Sequence, residues 1–170
     1  AVGAPEAARP QKLAAAFPDG VTLLEGSSFY AAQERMHDYL LRTNPDQWLY
    51  NFRRAAGLST RNAPAMTGWD SPSGLLRGHS AGHYLSALAL CWHATGDREI
   101  HQKAVYMVDA LKECQDAFAA QDGYHPGFLS AYSEEQFDLL EEYTPYPKIW
   151  APYYTLHKIL AGLLDLHRLA

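Results

Sequence analysis

Residues 78–96 read GHSAGHYLSALALCWHATG. From Tyr84 to Trp92 this stretch is apolar almost all round. No strand pattern competes, and a helix without a broad polar face is a helix covered on most sides. A buried helix is therefore predicted from about His79 to Ala94. Gly96 ends it and Asp97 caps the next. That next segment, Arg98 to Ala119, behaves differently. Ile100, Ala104, Met107, Val108, Leu111, Cys114 and Phe118 fall on one stripe, while Arg98, Glu99, Gln102, Lys103, Asp109, Lys112, Glu113 and Asp116 fall on the other. The unit is a buried helix, a two-residue turn and an amphipathic helix.

The same unit is visible upstream, and its first half again downstream. A helix is predicted from about Phe29 to Arg42, with Phe29, Ala32, Met36, Tyr39 and Leu40 at helical spacing. Asn44-Pro45 supplies a cap and a first-turn proline, and a second helix runs to about Ala56 before Gly57. Trp48, Phe52, Ala55 and Ala56 form its apolar stripe; Asp46, Gln47, Asn51, Arg53 and Arg54 are assigned to water. A long loop, residues 58–78, follows. A second long connection, 120–148, holds a short helix with Ser133 and Gln136 as a capping box. The final helix, from about Trp150, is again apolar all round. Short turns make antiparallel hairpins, so short turns gather at one end and long loops at the other. This is the layout of a ring of helical hairpins, inner helices apolar and outer ones amphipathic. A solenoid would need a fixed period, which the unequal loops lack. The expectation is an all-α fold: residues 1–27 an irregular lead-in, and 28–170 about two and a half hairpins, the N-terminal portion of a larger helical barrel.

Composition narrows the function. The chain has 170 residues, formal charge −5, 48% hydrophobic and 19% charged residues, a globular balance. It has no basic run, which argues against nucleic acid as a partner. It has no uncharged apolar stretch of membrane-spanning length, and a membrane partner is not expected. Two cysteines, Cys91 and Cys114, exclude a disulfide-dense scaffold. The opening AVGAPEAARP is not a signal peptide, though it suits the start of a chain left after one is removed. Eleven tyrosines and four tryptophans suit sugar faces as well as a Tyr-rich core.

FRRAAGL at 52–58, GWDSPSGLLRGHSAGHYLSALALCWHATGD at 68–97 and YYTLHKILAGLLDLH at 153–167 resemble the N-terminal part of the catalytic domain in the β-L-arabinofuranosidase superfamily, glycoside hydrolase families 127 and 146. The likeness runs from about Val21 to the end. It implies an (α/α)6 barrel followed by β-sandwich domains, and retaining removal of β-L-arabinofuranosyl residues from glycans. It implies a cysteine thiolate nucleophile held by zinc with Cys and Glu ligands, and a glutamate acid/base. In the family those residues lie downstream of the motifs seen here, so no catalytic residue and no metal ligand is expected in this segment. Cys91 and Cys114 read as small buried hydrophobes. Arabinose-containing glycans or glycopeptides of plant type are the implied partners, with the rest of the barrel. An extracellular or cell-surface bacterial location is expected, with a cytoplasmic one left open. Other helical-barrel carbohydrate enzymes (unsaturated glucuronyl hydrolases, epimerases, lyases) and a non-catalytic helical binding module remain alternatives.

Six residues are candidates for sugar contact. His79 and His83, four apart, share one helix face. The spacing also fits two zinc ligands, but HSAGH lacks the glutamate of a metalloprotease motif; structural hydrogen bonding is the other reading. The resemblance adds His157, which matches a sugar-binding histidine, against a satisfied core histidine. It also adds Gln33, which occupies the place of a sugar-contacting glutamine, against a buried amide. Trp69 could wall a pocket and Asp70 could hold a hydroxyl, or Asp70-Ser71-Pro72 is ordinary turn chemistry. Tyr143, Tyr146, Trp150, Tyr153 and Tyr154 surround three prolines and form a stiff aromatic wall. Glu141 and Glu142 could suggest a glycosidase pair, but adjacent helix residues point about 100° apart and read as a solvated helix end.

Overall fold

The computed structural model describes residues 21–170. Most of the expected lead-in lies outside the described residues. The helices are α1 (Ser28–Arg42), α2 (Pro45–Ala55), α3 (His79–Thr95), α4 (Arg98–Ala119), α5 (Glu135–Glu141) and α6 (Pro152–Leu169), with a three-residue 3-10 turn at Gly68–Asp70. The described residues contain no strand, and the all-α expectation holds. No described helix is long and apolar enough to cross a membrane. The chain divides into two units, Ala1–Arg35 and Met36–Ala170. In the first, the Ser27 hydroxyl accepts a 3.1 Å hydrogen bond from the Tyr30 amide at the start of α1.

In the second unit the hairpin signals act as read. Asn44 Oδ1 accepts from the Asp46 amide at 3.0 Å, and Asp97 Oδ1 accepts from the Glu99 amide at 2.7 Å. Gly96 ends α3 at φ +65°, a left-handed value that costs glycine little. Lys103 of α4 donates through Nζ to the carbonyls of Leu40 and Thr43, each at 2.8 Å. His37 Nε2 lies 2.8 Å from Asp97 Oδ2. These contacts hold the two short turns side by side, as hairpins of one ring require.

The core is built on α3. Leu85, Leu88 and Ala89 are completely buried, against Ile100, Met107, Leu111, Cys114 and Phe118 of α4 and the neighbouring Leu49 and Phe52 of α2. The most extensive packing joins α3 to α6. There the two backbones touch. A Cβ placed on Gly82 would lie 2.1 Å from the Lys158 carbonyl oxygen, and one on Gly162 would lie 2.4 Å from that of Gly82.

Several expectations change. Asn51 and Arg53, assigned to water, are 4% and 1% exposed. Arg53 donates to Asp46 Oδ1 at 2.5 Å and to the Tyr106 hydroxyl at 3.0 Å, so its charge is paired rather than solvated. Burial pushes the Asp46 carboxyl up, but Tyr106 and Arg53 outweigh it and hold Asp46 below its ordinary range. Val108 reaches the surface and Ala110 takes its place in the core. Ser133 is not a side-chain cap: α5 begins after Glu134, which has no capping bond and instead accepts from the His125 amide and ring. Trp150 precedes α6, whose first residue is Pro152. Only Pro152, Thr155, Ile159, Gly162 and Leu166 of α6 are buried, and Leu160 and Leu164 remain exposed.

Candidate functional site

The 3-10 turn Gly68–Asp70 delivers a carboxylate to the N-terminal end of α3. Asp70 is only 5% exposed. Its Oδ1 accepts from the Gly78 amide at 2.7 Å, and its Oδ2 accepts from the Ser80 hydroxyl at 2.5 Å. Its main-chain oxygen accepts from Asn51 Nδ2 at 2.6 Å, which ties the loop to α2. A buried carboxyl group is tolerated here because each of its oxygens accepts a hydrogen bond and it sits at the positive end of a helix.

Asp70 and the loop fix His79. The ring Nδ1 lies 2.8 Å from the Leu76 carbonyl oxygen and 3.2 Å from Asp70 Oδ2. Both partners can only accept, so in the neutral tautomer the Nδ1 nitrogen carries the proton and the lone pair lies on Nε2. Ser80, 3.3 Å from Nε2, gives its one proton to Asp70. His79 therefore offers an oriented acceptor.

Three rings surround it. The centroids of Trp69, His83 and Tyr154 lie 6.2, 6.1 and 6.2 Å from that of His79. Trp69, His83 and Tyr154 are exposed. Lys158, one turn beyond Tyr154, sets its ammonium 4.9 Å from the Tyr154 ring centre. Burial, then the charges of Lys158 and His79, lower the His83 pKa against the opposing pull of Asp70. The balance favours the neutral form of His83. The site combines two imidazoles, an exposed indole, a phenol and one ammonium around a hydrogen-bonded carboxylate. Such a set binds hydroxyl groups and apolar ring faces.

Four of the six candidates, Trp69, Asp70, His79 and His83, come together. His157 does not join them. It is exposed and lies along α6 with Tyr153, Leu160 and Leu164, in a groove of about 390 Å³. Gln33 is half-buried on α1 in the first unit. Sequence reasoning missed Ser80 and Lys158. Lys158 carried a signal, since it follows Tyr154 at i,i+4 on one helix face. Of the aromatic wall, Tyr154 reaches His79, Tyr153 packs edge-on against Phe137 at 5.1 Å, and Tyr146 meets Trp150 at 6.1 Å. Glu141 accepts from the Tyr153 hydroxyl at 2.5 Å.

The zinc ion that the resemblance implies does not fit these residues. No three His, Cys, Asp or Glu side chains converge on a metal position among the described residues. Burial pushes the Cys114 thiol up to about 11, so it stays protonated, and Nδ1 of His79 is already committed to Leu76.

A family model described as the GH127 catalytic domain of β-L-arabinofuranosidase matches residues 20–170. The chain belongs to this family. It is thereby a glycoside hydrolase catalytic-domain sequence, and the Asp70–His79 centre lies within the matched residues. No curated protein matches the chain.

Proposed function

We propose that this GH127 domain belongs to an enzyme that removes β-L-arabinofuranosyl, or related furanosyl, residues from glycans with retention, and that the Asp70 centre forms one wall of its sugar pocket. The observation that carries the reading is the orientation of His79. A buried carboxylate and a main-chain carbonyl hold Nδ1–H, so Nε2 is presented as an acceptor beside two exposed rings. A furanose ring has hydroxyls to donate to it and an apolar face to lay on Trp69 or Tyr154.

Within this wall each residue has a separate task. Asp70 positions His79 and closes the start of α3. His79 and His83 fix sugar hydroxyls in one orientation, and Lys158 adds three donors from α6. Trp69 and Tyr154 exclude water from the ring faces. In this reading the Asp70 centre binds and orients the sugar, and bond cleavage falls to a nucleophilic cysteine and an acid/base glutamate that lie downstream of these motifs in the family.

The test is hydrolysis of a panel of aryl furanosides by the enzyme and its His79→Ala variant. Release from the β-L-arabinofuranoside, reduced about 30-fold or more in kcat/KM by the substitution, is the expected result, equivalent to ~2 kcal/mol of transition-state binding. Turnover confined to pyranosides or unsaturated uronides would favour a different carbohydrate enzyme.

A further inference from the structure

Behind the loop that carries Asp70 lies a second, polar cleft of about 280 Å³. It is bounded by α2, by the loop segment 72–77 and by residues 124–133, and Arg54, Arg77 and Asn51 are among its lining residues. Among the described residues, no acidic side chain lines it. Half-buried Arg77 faces this cleft without a carboxylate, an unusual arrangement, since guanidinium groups are normally paired when partly removed from water.

The two arginines are held differently. Arg77 is fixed: its Nε donates to the Ala131 carbonyl at 3.1 Å, one terminal nitrogen donates to the Gly74 carbonyl at 3.0 Å, and its guanidinium carbon sits 4.9 Å from the Tyr132 ring centre. These neutral partners leave its charge uncompensated and donors to spare, for a guanidinium has five N–H groups. Burial disfavours the cation there, Tyr132 opposes that shift, and the like charge of Arg54 adds to it. Arg54 is exposed, and its side chain has no hydrogen bond or ion pair among the described residues. The cleft is therefore preorganised on one side, adjustable on the other, and positive in sum. Planar, forked donors of this kind match a carboxylate.

We propose that this cleft binds the carboxylate of an acidic sugar unit in the glycan. The sugar part of this proposal rests on the furanosidase reading of the adjoining site. The link between the two sites is covalent and short. Arg77 immediately precedes Gly78, whose amide binds Asp70, and Asn51 of the cleft holds the Asp70 main chain. A glycan bearing both a furanosyl unit and a uronate could engage both, and its negative charge would set it apart from neutral glycans.

The experiment is an NMR titration of the protein with sodium galacturonate, galactose and inorganic phosphate at matched ionic strength, repeated on Arg54→Gln. The Arg54 side chain makes no structural bond, so this variant keeps the fold, checked by an unchanged melting temperature. Galacturonate should bind about tenfold more tightly than galactose, and Arg54→Gln should remove about that tenfold, as loss of a charge-assisted hydrogen bond requires. Equal binding of galacturonate and galactose, or an Arg54→Gln variant that binds galacturonate as before, would overturn the proposal. Phosphate bound in preference to galacturonate would also overturn it. Hydrolysis of a neutral aryl β-L-arabinofuranoside is measured in parallel. Absence of that activity in the unsubstituted enzyme would count against the furanosidase reading, while the galacturonate preference and its Arg54 dependence would still decide the cleft.

Discussion

Two helix seams hold this domain together by opposite means. Along α3–α6, Gly82 and Gly162 bring the backbones into contact, with completely buried Leu85 and Ile159 alongside. Along α2–α4, a completely buried arginine, Arg53, bridges Asp46 and Tyr106. The first seam has no room for a methyl group; the second has room for a guanidinium and its partners. The difference has a functional consequence. Because α6 lies so close to α3, Tyr154 and Lys158 arrive beside His79 and His83. The α2–α4 seam carries no site residue and acts as scaffold.

The sharpest way to break this distinction is Gly82→Ala. The three atoms nearest the added carbon are all main chain of α6, the first two at 2.1 and 2.2 Å, so these partners cannot yield by turning a side chain. The expected loss is about 3 kcal/mol or more, the upper end for overpacking, read by urea denaturation. Activity should fall with it, since the seam positions the site. A Gly82→Ala variant of unchanged stability would show that the helices can part cheaply.

Arg53→Met should cost less, about 2–3 kcal/mol. Breaking a buried pair costs about 3–5 kcal/mol, but Asp46 keeps 23% of its side chain in water, which screens the charge left behind. The folded fraction should keep its kcat/KM, because no site residue depends on Arg53. The same pair gives a pH signature. Asp46 has a depressed pKa in the folded state, so its contribution is fully present above the ordinary carboxylate value of 3.8 and is lost as the pH falls below it. Acid unfolding of the parent, and its flattening in Arg53→Met, would show the linkage. Asn44→Ala is the smallest effect, about 1 kcal/mol for one helix cap, with no change in kinetics.

These seams differ also in how far the sequence discloses them. The α3 segment from Tyr84 to Trp92 declares its burial because nearly every residue is apolar, and α4 has the bounds that its stripe and the Asp97 cap predict. Arg53 could not be placed from periodicity, because a helical wheel sends every charge to water, and only the position of Asp46 and Tyr106 reverses that. The glycines of α6 and α3 are visible as letters, but their pairing is a property of two helices crossing. At the site, the i,i+4 spacing of His79 and His83 was legible. That Asp70, nine residues upstream of His79, is the residue that orients the ring depends on how the 58–78 loop folds back. Ser133 offered a capping pattern, yet the cap position falls one residue later, on Glu134, whose side chain engages His125 rather than the helix.

His83 gives the most direct test of the account. It is exposed, so its removal should leave the fold intact, and the role proposed for it is contact with a bound sugar. The measurement is kcat/KM of the enzyme on an aryl β-L-arabinofuranoside, with melting temperature, for His83→Ala against the parent. A loss of about tenfold or more, the scale of one hydrogen bond to substrate, with an unchanged melting temperature, is the result the account predicts. Parental kcat/KM in a variant that melts normally would contradict it, and would remove the α3–α6 seam from the sugar pocket.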